Sequence, residues 1–274
     1  MLMELLTKGG KRDLLTPYFS FRRLLSREQE AAVFLDIARL RYEVYCEECK
    51  FLEAADYLSG LETDEFDSRS VHVAAHNQDN QVVGTVRLVM TTAEQAFPFE
   101  EHCSVFPDFA FPPREQCAEV SRLIAKKNFR RRPGDNLQGV SREFQETGGV
   151  NDISPQTQPI AHKDRRGTSP QIMLGMYREM YRHSRENGIR YWYAAMEKRL
   201  ARLLDRMGFH FEPVGPETDY YGPVTTYIAD LRQVEDALQN ANRFLLAWFQ
   251  DTPISDWLLI TTLVKYKLGH LGKL

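Results

Sequence analysis

Val71-His72-Val73-Ala74-Ala75, then Asn77-Gln78-Asp79-Asn80, then Gln81-Val82-Val83-Gly84-Thr85-Val86-Arg87-Leu88-Val89-Met90: this stretch decides the fold. The valine-rich runs read as strands, and the polar residues between them supply the turn of an antiparallel hairpin. Upstream, Ser26 with Gln29 three residues later marks a capped helix start. Apolar residues then recur at Val33, Ile37, Leu40 and Val44, the spacing of one buried helical face. An acidic, loop-like stretch, 53–67, separates that helix from the hairpin.

Downstream, Pro98, Pro107, Pro112 and Pro113 punctuate a wandering segment, and residues 118–125 read as a further strand. That strand ends in the basic run Lys126-Lys127-Asn128-Phe129-Arg130-Arg131-Arg132. Residues 133–170 are polar and poor in large apolar side chains, so they cannot offset their ordering entropy and are expected to form a mobile insertion. Order returns at Gln171, where Met173, Tyr177, Met180 and Tyr181 share a helical face that Gly188 closes. Residues 189–196 read as a strand, 197–207 as a helix, and 209–214 and 225–231 as strands. Leu, Trp and Phe at helical spacing in 234–274 suggest a docked helical appendage.

This order implies an α/β (α+β) fold, a mixed central sheet flanked by helices. The expected organisation is an extension over 1–25, one domain over 26–232 that carries the insertion 133–170, and the appendage 233–274. A splay between two central strands would offer a ligand cleft, but the order of elements does not by itself place one.

The chain has 274 residues, of which 43% are hydrophobic and 27% charged, enough to bury a real core. A net charge of −3 provides no global field toward nucleic acid, so any basic site must be local. The N-terminus lacks a basic start followed by an apolar core, and the longest apolar stretch, 257–264, falls far short of a membrane span. A cytoplasmic protein is expected, with peripheral membrane contact at most. Cys46 and Cys49 form a C-x-x-C, and His102, Cys103 and Cys117 are further candidate ligands for zinc. Reduced, partly buried thiols with no metal are the default reading in that compartment.

Glu62, Asp64 and Asp67 make an E-x-D-x-x-D motif. Three carboxylates this close repel unless they share cations, a substrate ammonium or backbone donors. The bland alternative is a solvated acidic loop. Arg41, Arg87 and Arg122 lie among apolar residues of a helix and two strands, where a buried guanidinium needs a carboxylate partner; surface salt bridges are the alternative for each alone. Strict alternation puts Val120 and Arg122 on one face of their strand and Glu119 and Ser121 on the other, unless a bulge intervenes.

Arg41-x-x-Val44-Tyr45 with Phe51, the E-x-D-x-x-D, Gly84-Thr85-Val86-Arg87-Leu88 and Glu119-x-Ser121-Arg122 together resemble the signature of the acyl-homoserine-lactone autoinducer synthases. That family usually has Phe at the place of Tyr45 and Trp at that of Phe51, and lacks the stretch 133–170. Phe97-Pro98-x-Glu100, Cys117-Ala118-Glu119-Val120-Ser121-Arg122-Leu123, Trp192-Tyr193-Ala194-Ala195-Met196-Glu197 and Phe211-x-Pro213-Val214-Gly215-Pro216 are closer to another branch. They resemble the long-chain N-acyl amino acid synthases and the acyltransferases associated with PEP-CTERM/exosortase sorting.

The resemblance implies a GNAT fold, a donor that is the acyl-phosphopantetheine of acyl carrier protein (or acyl-CoA), no permanently bound cofactor, and a small amine acceptor. It implies that Glu119 is the general base, that Arg122 and Arg87 tie down the acidic loop, and that Glu62, Asp64 and Asp67 are their partners. Arg41 and the run Lys126, Lys127, Arg130, Arg131 and Arg132 are assigned to donor binding. For that run a docking patch for the acidic carrier protein is set against a solvated charge run. Met173, Met176, Met180, Met196, Trp192, Tyr193 and Phe209 would line an acyl tunnel, or be plain core. The competing functions are a CoA-dependent acetyltransferase and a non-catalytic acyl-binding module.

Overall fold

The computed structural model describes residues 15–126, 169–258 and 260–262. A seven-stranded mixed sheet organises the chain. Its strands are β1 (Ser20–Leu24), β2 (Ser70–His76), β3 (Val82–Met90), β4 (Cys117–Ala125), β5 (Tyr191–Met196), β6 (Glu212–Asp219) and β7 (Pro223–Asp230). The spatial order is β1-β2-β3-β4-β5-β7-β6, and every neighbouring pair is antiparallel except β4 with β5.

Helices cover both faces. On one lies α1 (Ala31–Tyr42), whose Phe34, Ile37 and Leu40 pack with Leu24, Ala74, Val82 and Ile124. On the other, α3 (Ser169–Glu186) packs Ile172, Met176, Tyr177 and Met180 against Val73, Ala75, Val86, Leu88 and Val120. Residues adjacent in β2 thus face opposite layers, as the period of two requires. Two shorter helices, α2 (Pro98–His102) and α4 (Lys198–Arg206), flank β4 and β6 in the chain. The tail forms α5 (Leu231–Ala241) and α6 (Arg243–Gln250), and its Val234, Leu238, Leu246, Trp248 and Phe249 join the same core as α3.

Several local readings differ. Ser26 Oγ does accept from the Gln29 N–H, at 3.3 Å, but only within a turn; α1 starts at Ala31, and its N-cap, Glu30, makes no side-chain cap. Five residues within 1–25 form β1, an edge strand that pairs with β2. Strand β6 runs past Val214 to Asp219 through a register shift, and its Pro213 and Pro216 are tolerated because β6 is an edge. The C-terminus of α1 continues as a π-helical turn, Glu43–Glu48, a form common at functional sites. Cys46, in this turn, and Cys49, Cys103 and Cys117 are buried thiols. The insertion expected over 133–170 lies outside the described residues apart from the first turn of α3. No helix among the described residues is long and apolar enough to cross a membrane.

Candidate active site

The acidic motif is built on a short 3-10 turn, Glu65–Arg69. Asp64 caps it, accepting from the Asp67 N–H at 3.2 Å, while Asp67 accepts from the Asp64 N–H at 3.0 Å. This reciprocal capping orients both carboxylates independently of the arginines. Glu62 is placed by its own N–H, which donates to the Ala38 carbonyl of α1 at 3.1 Å.

Three guanidinium groups then converge on three carboxylates. Arg41 of α1 donates to Glu62 and, at 2.7 Å, to Asp67. Arg87 of β3 donates to Asp64, to Asp67 at 2.9 Å, and to Ser121 Oγ at 3.0 Å. Arg122 of β4 reaches Glu62 Oε1 at 2.9 Å and Asp64 at 3.1 Å. Arg41, Glu62, Asp67 and Arg87 are almost wholly buried, and formal charges cancel across the six groups. Burial would raise the Glu62 and Asp67 carboxyls, but Arg41, with Arg122 on Glu62 and Arg87 on Asp67, holds both below the usual carboxylate range. His72, beneath the network, is pushed down to about 4 by burial and stays neutral.

A bulge resolves the alternation problem. Arg87 pairs with Ser121 and Thr85 with Ile124, so a single β3 residue faces both Arg122 and Leu123. Arg122 takes the left-handed conformation, φ 52°, and this re-aims its side chain to the face that carries Glu119 and Ser121. The guanidinium there also lies over the Tyr45 ring, 5.3 Å from its centroid.

Strands β4 and β5 pair only through Cys117↔Tyr191, Ala118↔Trp192 and Glu119↔Tyr193, then part. Glu119 therefore sits at the apex of a split in the sheet. It is 3% exposed and accepts from the Phe99 N–H of α2 at 3.0 Å. Burial pushes its carboxyl up to about 8, against the opposing pull of the Phe99 N–H, Arg87 and Arg122.

A cavity of about 180 Å³ opens from this split. Glu119, Ser121 and Arg122 line one side and Ala194, Met196 and Glu197 the other; Tyr177 and Leu200 reach in from the α3 layer. Aromatic rings close the mouth: Tyr221 stacks on Phe51 at 5.9 Å, and Tyr220 stacks on His102 at 4.3 Å. Both tyrosines stand on the β6–β7 turn, where Tyr221 (φ 55°) and Gly222 (φ 105°) make the tight reversal.

Such a site can hold a thioester in the split, take a proton from an amine at Glu119, and keep bulk water out. Residues 40–138 match the family model described as an acetyltransferase (GNAT) domain. BjaI, a CoA-dependent acyl-homoserine lactone synthase solved with MTA, superposes with a TM-score of 0.54 at 18% identity, covering 90% of this chain and 99% of its own. The chain has the GNAT fold. TofI, solved in a ternary complex with an inhibitor and MTA, gives 0.53 at 17% identity over 81% of this chain and 96% of its own. At these identities the likeness establishes the fold. FeeM, an N-acyl amino acid synthase from uncultured soil microbes, matches more loosely, at 0.43 and 13%, covering 80% of this chain and 94% of its own, and carries no weight. No curated protein matches the chain by sequence.

Of the residues singled out in the sequence, Glu62, Asp64, Asp67, Arg87 and Arg122 meet in one ion network, and Glu119 lines the cavity beside Arg122. Arg41, assigned to the donor, is instead 0% exposed inside the ion network, so it braces the loop. Lys126 lies at the end of β4, 3.7 Å from Glu43, seven residues beyond Glu119. Lys127, Arg130, Arg131 and Arg132 lie outside the described residues. Of the proposed tunnel residues only Met196 lines the cavity; Met173, Met176, Met180, Trp192 and Phe209 fill the core, and Tyr193 packs with Phe97 and Phe99. Sequence reasoning missed Tyr220 and Tyr221 as the cover of the site and Phe99 as the donor to Glu119. The Tyr-Tyr-Gly turn between two strands was the available signal for the first; a backbone N–H leaves none.

Proposed function

We propose that the protein transfers a long-chain fatty acyl group from acyl carrier protein to the amine of an amino acid or similar small acceptor, by direct attack on the thioester. The observation that carries this reading is Glu119: a buried carboxyl at the apex of the β4–β5 split, facing a cavity, with its pKa near the working range of a general base. Glu119 takes a proton from the acceptor ammonium. The freed nitrogen forms a bond to the thioester carbonyl carbon, the oxyanion is met by backbone N–H groups where the strands part, and the C–S bond breaks as a second proton leaves the nitrogen for the departing sulfur, giving the amide and the free thiol. The arginine–carboxylate network is neutral and, apart from the buried Arg41 Nη2, which has no hydrogen-bond partner, closely engaged, so its part is to hold the wall that carries Arg122 and Tyr45.

The basic run that begins at Lys126 supports a carrier-protein donor, since long cations suit an acidic partner; acyl-CoA is the other donor to test. The same reading, following the motif blocks around Phe97, Trp192 and Phe211, places the enzyme in the cytoplasm and in the branch associated with PEP-CTERM/exosortase sorting.

The test is mass spectrometry of N-acyl products formed by the purified protein from long-chain acyl carrier protein, or the matching acyl-CoA, with a mixed pool of amines. N-acyl species formed by the wild type and lost in a folded Glu119→Gln variant support the reading. No N-acyl species with either donor, or undiminished formation in the variant, overturns it.

A further inference from the structure

The Phe99 N–H that touches Glu119 is itself held by a clamp lying outside the cavity. Arg114 donates both arms of its guanidinium to Glu100, at 2.8 and 2.6 Å. Glu100 in turn accepts from the Phe97 N–H at 2.7 Å, which fixes the first turn of α2. Arg114 also donates to the Gln95 carbonyl at 3.0 Å and lies over the Phe97 ring at 5.7 Å and the Phe111 ring at 6.0 Å. A planar fork held by two carboxylate oxygens, a carbonyl and two neighbouring rings is far more restricted than a lysine would be.

The connection matters because of where its two ends lie. Arg114 belongs to the 3-10 turn Arg114–Gln116 that leads directly into β4, the strand of Glu119. Glu100 belongs to the five-residue helix that presents the Phe99 N–H. The clamp therefore sets the distance between the base and its donor by tying together the two backbones that carry them. Phe97 and Phe99 pack on Tyr193, Glu119's partner across the split, so the same helix also meets β5.

We propose that Arg114 and Glu100 are positioning residues that hold the Phe99 N–H against Glu119 and so set the protonation behaviour of the base. This rests on the reading of Glu119 given above for activity, but not for its titration. The charged and titratable groups around Glu119 are Arg87 on β3, Arg122 on β4, Glu100 on α2, Cys103 after it, Arg69 ahead of β2, and Tyr220 on the β6–β7 turn. Losing the N–H donor removes a bond that favours the ionised form, so the Glu119 titration moves up.

Charge alone predicts otherwise, and this separates the two accounts. Arg114→Lys keeps the charge and loses the fork; a bare electrostatic role gives no shift, whereas the clamp gives an upward one. Glu100→Ala removes a nearby negative charge, which by itself moves Glu119 down; loss of the clamp moves it up. The expected shift is upward by about one pH unit in Arg114→Lys, the scale of a hydrogen bond to a charged group, and upward but smaller in Glu100→Ala, where the lost negative charge offsets part of it. The experiment is infrared difference titration of the Glu119 carboxyl, assigned by its absence in Glu119→Gln, alongside the pH profile of kcat/KM with near-ultraviolet circular dichroism as the fold control. An upward shift in both readouts supports the clamp. No shift in Arg114→Lys, or a downward shift in Glu100→Ala, overturns it. A shifted carboxyl in a protein that transfers no acyl group supports the clamp and removes the proposed reaction instead.

Discussion

Arg122 Nη2 lies 2.9 Å from Glu62 Oε1, a contact that its place in β4 would forbid if the strand were regular. The left-handed backbone at Arg122 makes the contact, and the Glu62 carboxylate, 0% exposed, depends on it. A non-glycine residue at positive φ costs about 1–2 kcal/mol, so the ion pairs must outweigh that strain.

Two substitutions separate strain from charge. Arg122→Ala removes the guanidinium and keeps the strain; it should destabilise by roughly 3 kcal/mol, because a buried carboxylate loses a partner. Arg122→Gly removes both, and should be more stable than the alanine variant by about 1 kcal/mol, although glycine ordinarily weakens a strand. Urea unfolding of the pair reads the difference. Equal stability of the two would mean that the left-handed backbone carries no strain.

Glu119→Gln should trade activity for stability. General-base catalysis contributes about 10²–10⁴-fold, so kcat/KM should fall by that order. The sign for stability follows from a folded pKa of about 8 against an unfolded value near 4.5. The folded state keeps its proton between these limits and the unfolded state does not, so stability falls as pH rises from 4.5 through 8. A glutamine escapes this cost. The variant should melt above the wild type at pH 8, with the advantage shrinking toward pH 5, and calorimetric melting across that range checks it. A lower melting temperature at pH 8 would contradict the burial penalty assigned to Glu119.

The network has the opposite pH dependence. Glu62 and Asp67 are held below their ordinary values, so their contribution is complete above the unfolded carboxylate range near pH 4 and is lost as pH falls through the depressed folded values. The denaturation midpoint should drop steeply below pH 4. Asp67→Asn should lower stability at neutral pH, since Arg41 and Arg87 lose a buried partner, and should flatten the acid slope. Parallel urea titrations from pH 2.5 to 7 compare the two slopes.

How much of this was legible in the residues depends on the range of the forces involved. The hairpin of β2 and β3 shows because local alternation and turn chemistry agree, and Met173, Tyr177, Met180 and Tyr181 show α3 for the same reason. The pairing of Glu62, Asp64 and Asp67 with three arginines could be anticipated from charge balance among otherwise apolar strands. Strand β1 escaped notice because Ser20-Phe21-Arg22-Arg23-Leu24 carries the charges of a protected edge rather than the run of a buried strand. The bulge showed only as the conflict between strand alternation and a shared site for Glu119 and Arg122; its position did not show, since Arg122 is not a residue type that advertises positive φ. Nor could the residues show where β4 and β5 part: the split depends on pairing between segments about 70 residues apart.

Gly215 has a purely steric reason to be glycine, and it tests how firmly the segment beyond α2 is fixed. A Cβ there would lie 2.0 Å from the Ser104 carbonyl oxygen, which is backbone and has no rotamer to escape into. The neighbouring Phe106 N–H donates to the Val214 carbonyl at 2.8 Å, so β6 and the segment after α2 are already bound at this point. Gly215→Ala should therefore push the two backbones apart at a cost of about 1–3 kcal/mol, the usual scale of overpacking. Because that segment begins at the end of α2, the displacement should also loosen the Phe99 N–H from Glu119, lowering kcat/KM beyond what the unfolded fraction explains. Urea unfolding together with kcat/KM measured well below the unfolding transition separates the two effects. A variant as stable as the wild type would mean that the close approach of Gly215 to Ser104 is not a fixed feature of the fold.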